Sequence, residues 1–75
     1  MDAEFIRFVR LKADLTQAEM ASLSGVSQAV VSLVEQGKQP ISPKLRHKIL
    51  TLIDNDSELI EQYQLYKETE LKARQ

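Results

Sequence analysis

Cysteine is absent from the 75 residues. That excludes disulfide staples, thiol catalysis and any cysteine-ligated metal site. Histidine occurs once, so a zinc site would need carboxylates almost alone, a donor set zinc seldom uses. No metal or other cofactor is therefore expected. No apolar run approaches the ~20 residues of a membrane span. The opening MDAEFIRFVR lacks the basic-then-apolar layout of a secretory signal, so a soluble, cytoplasmic chain is expected. An excess of one charge is also missing: ten Lys and Arg face eleven Asp and Glu, a net −1. Nucleic-acid-binding domains are commonly more basic, so composition by itself counts against that role. No nucleophile–base pair, paired catalytic carboxylates or phosphate-cradling glycine loop stands out, and the chain is not expected to be an enzyme.

What is present is an apolar fraction of 43%, enough for a small core. The length fits one domain, residues 1–75, with a thin stability margin. The small net charge hides a polarity. Residues 1–50 carry seven basic and five acidic groups, residues 51–75 three basic and six acidic. A nucleic-acid surface in the first fifty residues, with the acidic remainder turned away, fits that division.

Glycine and proline occur only at Gly25, Gly37, Pro40 and Pro43. β-branched alternation is absent and the apolar period is near 3.6, which predicts an all-α chain of five helices. The first is expected from about Ala3 to Lys12, capped by Asp2, with Phe5, Phe8, Val9 and the stem of Lys12 inward. Thr16-Gln17-Ala18-Glu19 is a capping box for the second, with Leu15 and Met20 as its hydrophobic staple. Gly25 ends that helix in the left-handed conformation. Ser27 then caps a third helix that runs to Gln36 and ends at Gly37, with Val26 and Val31 as staple. Ser42 caps a fourth, with Pro43 at its first position and Leu45, Ile49 and Leu52 as its stripe. Asp54-Asn55-Asp56 reads as a turn, with Asn55 and Glu58 as another capping box. A fifth helix is expected over about 57–72, fraying from Lys67 onward.

Two short helices joined by a tight glycine turn make a helix-turn-helix, whose second helix enters the DNA major groove. The geometry needs a small residue where the helices cross (Ala21) and a glycine opening the turn (Gly25). It also needs an apolar plug (Val26) and aliphatic anchors in the second helix (Val31 and Val34). All are present at the required offsets. LTQAEMASLSGVSQAVVSLVEQGKQPIS thereby resembles the helix-turn-helix of the lambda-repressor-like family, the Cro and phage repressors also called XRE-type. The resemblance covers about Glu4 to Asp54. It implies a five-helix lambda-repressor-like domain that binds double-stranded operator DNA in a sequence-specific way. Such a domain usually acts as a dimer in gene regulation, so the resemblance leads to the expectation of a bacterial or phage-encoded repressor.

Carried over by position, the resemblance gives Gln17 a phosphate contact and Gln28 a base contact. A Gln side chain can bond adenine N6 and N7 together. Ala29, Ser32 and Leu33 lie on the same groove-facing side. Lys38, Gln39, Lys44 and Arg10 are the further phosphate candidates, and Arg10 also matches a position ion-paired with Glu35. The chain departs from the family in having no Lys or Arg in the recognition helix 27–36. Leu23, Val30 and Leu33 are apolar at outward-looking positions, and such clusters often mark interaction sites. The rival reading is therefore a protein-binding module that docks a regulatory partner through those three residues. Steep weakening with salt would mark DNA binding and set the two apart. A weak homodimer is expected, with Tyr66 and Leu71 of the fifth helix as its contact. No separate ligand-sensing domain fits in this length, so a protein partner or dimerisation would carry any signal.

Overall fold

Side-chain oxygens fix where the first four helices begin. In the computed structural model, which describes residues 1–73, Asp2 accepts from the Phe5 amide at the start of α1 (Ala3–Lys12). The capping box of α2 (Gln17–Ser24) is complete: Glu19 N–H donates to Thr16 Oγ1 at 3.0 Å, and Thr16 N–H donates to Glu19 Oε1 at 2.9 Å. The Thr16 backbone amide, and then its hydroxyl, hold the Glu19 carboxyl below its usual range. Ser27 caps α3 (Gln28–Glu35) through the Val30 amide. Ser42 caps α4 (Pro43–Asn55) through the Leu45 amide, with Pro43 in the first turn. After a short turn comes α5 (Leu59–Ala73). The described residues contain no strand.

Three helices stop in the same way. A residue with positive φ follows the last turn, and two amides fold back onto free carbonyls, the Schellman arrangement. At α2 the residue is Gly25 (φ 74°), with Val26 N–H bonded to Ala21 O. A Cβ at Gly25 would have room, 3.8 Å from Lys44 Cδ, so backbone conformation rather than crowding selects glycine there. At α3 it is Gly37, with Lys38 N–H bonded to Leu33 O. At α1 it is Asp14 (φ 60°), with Leu15 N–H bonded to Arg10 O. Asp tolerates this conformation better than most residues.

The core draws on every helix: Ile6 and Val9, Met20 and Ala21, Val31 and Val34, Leu45 and Ile49, and Leu59. Helix α3 packs on α2 and α1, α4 on α2 and α1, and α5 on α1. Several expectations need correction. The inward face of α1 is Ile6, Val9 and Arg10, while Phe5 and Phe8 are half-buried and Lys12 is exposed. The two phenylalanines turn toward α5, where both meet Tyr63 edge-on at 4.9 and 5.1 Å. The Lys12 ammonium lies 5.6 Å from the Phe8 ring centre. Asp54 and Asn55 belong to α4, and the corner is made by Asp56, whose Oδ1 accepts from the Glu58 amide at 3.2 Å. The Asn55–Glu58 capping box does not form. Helix α5 continues past Lys67, whose ammonium bonds Glu4 of α1 at 2.8 Å. That bond raises the Lys67 pKa. Leu71 and Tyr66 both fall on this helix.

Candidate nucleic-acid interface

Helix α3 is amphipathic, and its phase decides what it offers to solvent. Val31 and Val34 are fully buried. The opposite side carries Gln28, Ala29, Ser32, Leu33 and Gln36, which recur at helical spacing. Gln28, Ala29 and Gln36 are exposed, Leu33 is 37% exposed and Ser32 is half-buried. All four expected base-contacting residues thus share one face. Gln36 belongs with them and was not foreseen. Its Nε2 donates to Ser32 Oγ at 2.8 Å, which engages the serine hydroxyl as an acceptor. The signal for Gln36 was the i+4 spacing from Ser32.

A partly buried polar network ties α3 to α1 and α2 beside the apolar core. Arg10 Nε and Nη2 donate to the two carboxylate oxygens of Glu35, at 2.6 and 3.0 Å. Arg10 Nη1 donates to the Leu15 carbonyl oxygen at 2.8 Å. Gln17 Nε2 donates to Glu35 Oε1 at 3.2 Å. The carboxylate at the end of α3 therefore gathers α1 and the first residue of α2, and Arg10 in turn holds the turn after α1. The Arg10 and Glu35 side chains are only 9% and 3% exposed. A forked guanidinium–carboxylate pair is directional as well as strong, so it fixes an angle and not only a distance. The expected Arg10–Glu35 pair is present, but each Arg10 nitrogen already donates within the protein. The involvement of Gln17 was not read from the sequence.

The other expected phosphate contacts lie on or beside the α3–α4 loop. Gly37 turns the chain, leaving Lys38 exposed and Gln39 half-buried. Lys44 is exposed in the first turn of α4. No acidic residue occurs from Gln36 to Ile53, so this stretch is purely basic in its charges.

The three apolar residues of the rival reading differ in exposure. Val30 is half-buried and packs on the core. Leu23 is 56% exposed and lines a groove of about 330 Å³ with Ser24, Pro43, Lys44, His47 and Lys48, and Leu33 is 37% exposed. On α5, Tyr66 is about half exposed and its ring centre lies 5.7 Å from that of Phe8, while Leu71 is 57% exposed. Among the described residues no group of three His, Cys, Asp or Glu side chains could hold a metal ion. Among the described residues no helix is long and apolar enough to cross a membrane.

Comparison with known proteins adds one finding. The family model HTH_3, described as helix-turn-helix, matches residues 6–54, well over half of the chain. No curated protein and no solved structure matches. The matched stretch holds the Thr16 capping box, the Gly25 turn, the α3 anchors and the Arg10–Glu35 pair. Domains of this kind are DNA-binding and typically non-catalytic. The chain belongs to the HTH_3 family, the XRE-type, lambda-repressor-like helix-turn-helix domains.

Proposed function

We propose that the protein is a sequence-specific transcriptional repressor of the cytoplasm that reads the major groove with α3 and covers its operator as a homodimer. One observation carries this reading: Gln28, Ala29, Ser32 and Leu33 share the solvent face of a helix whose other face is locked to the core. Gln28 stands first on that helix and is the only one of the four able to bond two base atoms together. Ala29 and Leu33 offer methyl groups to thymine, and the Ser32 hydroxyl offers a small polar contact. Gln17, Lys38, Gln39 and Lys44 hold the register on the phosphates. Arg10 is better placed to position Gln17 and α3 than to meet a phosphate itself, because its guanidinium is engaged on Glu35 and Leu15.

A mobility-shift titration tests the base-reading role, with the DNA upstream of the gene that encodes the protein and a scrambled duplex of equal length. Gln28→Ala is expected to cost about 1–3 kcal/mol on the specific DNA and to leave scrambled DNA nearly unchanged. An equal loss on both would remove Gln28 from base reading. Lys38→Ala is expected to weaken binding to every sequence alike and to reduce the salt slope by about one unit. A slope equal to that of the wild type would mean that Lys38 meets no phosphate. The rival docking module predicts binding to a protein partner that hardly responds to salt, and the same salt series separates it.

A further inference from the structure

Helix α4 buries Leu45 and Ile49 and turns a second stripe outward. Pro43, Arg46, His47, Leu50 and Asp54 recur at helical spacing along it, and all are exposed. The charges on this stripe are ordered. Arg46 lies four residues before Leu50, and Asp54 lies four residues after it. Leu50 is 44% exposed at the centre. It rims a hollow of about 270 Å³ with Ile41, Pro43, Arg46 and His47. Neither Arg46 nor Asp54 has an ion-pair partner among the described residues.

A single exposed leucine is ordinary and needs no explanation. A leucine flanked at equal distances by opposite, unpaired charges is different, because such a stripe is its own complement when reversed. Each arm is four residues long, about 6 Å along the axis at 1.5 Å per residue. Antiparallel packing of two such helices about a twofold axis at Leu50 brings both charge pairs into register. A twofold interface requires this property, since the same patch must serve both sides.

We propose that this face of α4 is the homodimer contact, with Leu50 against the partner's Leu50 and Arg46 against the partner's Asp54. The proposal deepens the dimeric reading above and rests on it for its biological meaning. It moves the contact from Tyr66 and Leu71 on α5 to α4. Tyr66 already spends part of its ring on Phe8 within one chain, whereas Arg46 and Asp54 of the α4 stripe have no ion-pair partner among the described residues. The stripe leaves Lys44 on a different side of the helix, free to meet DNA.

Sedimentation equilibrium of the whole chain at low salt, without DNA, tests the contact. The wild type is expected to show a monomer–dimer equilibrium that shifts toward monomer as salt rises. Arg46→Glu and Asp54→Lys each place like charges together twice per dimer, and each should weaken association about tenfold. Both sites are exposed, and circular dichroism should show unchanged helicity. Mixing the two variants is the decisive arm. In the mixed pair Glu meets Lys at one end and Arg meets Asp at the other, so association should return to near the wild-type level. Leu50→Lys puts like charges on the axis and tests the contact without touching either end.

A strict monomer at the highest soluble concentration overturns the proposal, and so does a mixture of variants that fails to associate. Dissociation by Tyr66→Glu together with wild-type association of the α4 variants would place the contact on α5 and overturn it too. If Arg46→Glu abolishes DNA binding while association persists, the stripe is a phosphate track and the proposal falls. Association is read without DNA, so a dimer that binds no DNA would sink the repressor reading and leave this one standing.

Discussion

Glu35→Ala is expected to lower folding stability by about 3–5 kcal/mol, because it strands a charge that the fold keeps from water. Arg10 is 7% exposed and lies beside the hydrophobic cluster. Its Nε and Nη2 both end on the Glu35 carboxylate. Without that carboxylate, the guanidinium must stay buried without its counter-charge or pull out and leave a void between α1 and α3. A domain of this length has a total stability of only about 4–11 kcal/mol, at roughly 0.05–0.15 kcal/mol per residue. The substitution would therefore remove a large share of it. Urea denaturation followed by circular dichroism measures the effect. The pair need not be net stabilising relative to an apolar pair, since both ions lost water to form it. Arg10→Met combined with Glu35→Leu is thus expected to recover most of the lost stability. That double variant would still lack the acceptor that holds Gln17. Specific DNA affinity should then stay below that of the wild type even in a well-folded protein. A cost under about 1 kcal/mol for Glu35→Ala would mean that the pair behaves as a solvated one.

The features legible in the sequence were those with local chemistry. Thr16, Ser27 and Ser42 each cap a helix through an amide three residues on, and such a bond needs no tertiary partner. The glycine stops were equally readable. The Asp14 stop was not, because the left-handed seat there holds a residue that looks like an ordinary loop acid. Helix α1 misled for another reason. Its stretch FIRFVRL is apolar on most of its circumference, so periodicity cannot choose between Phe5 and Ile6. Contacts decide: α5 draws the aromatic residues sideways and leaves the centre to Ile6 and Val9. The Arg10–Glu35 pair spans 25 residues, and only the family resemblance pointed to it. The share of Gln17 in it depends on where α2 begins relative to the end of α3, which no local pattern records. The solvent face of α3 was legible because Val31 and Val34 set its phase, and the residues proposed to meet the groove follow from that phase.

Leu59→Ala is expected to cost about 2–5 kcal/mol, although Leu59 lies beyond the 6–54 stretch that defines the family. The side chain is 2% exposed and belongs to the same cluster as Ile6, Val9 and Ile49. Truncation would remove buried methyl groups and leave a cavity under the start of α5. The rest of α5 cannot make good that loss. Tyr63 and Tyr66 reach Phe5 and Phe8 through ring contacts at the side of α1. The Lys67–Glu4 pair is exposed on both sides, and pairs of that kind contribute little. Leu71→Ala is the internal control. At 57% exposure it loses far less buried area than Leu59, and its effect should stay within about 0.5 kcal/mol. Urea denaturation of both variants at a protein concentration too low for self-association gives the comparison. A large cost at Leu59 beside a negligible one at Leu71 makes the first turn of α5 part of the folding unit and its last turns an outer extension. A negligible cost at Leu59 would mean that residues 6–54 fold without support from α5. The exposed face of α3 would then owe nothing to the acidic end of the chain.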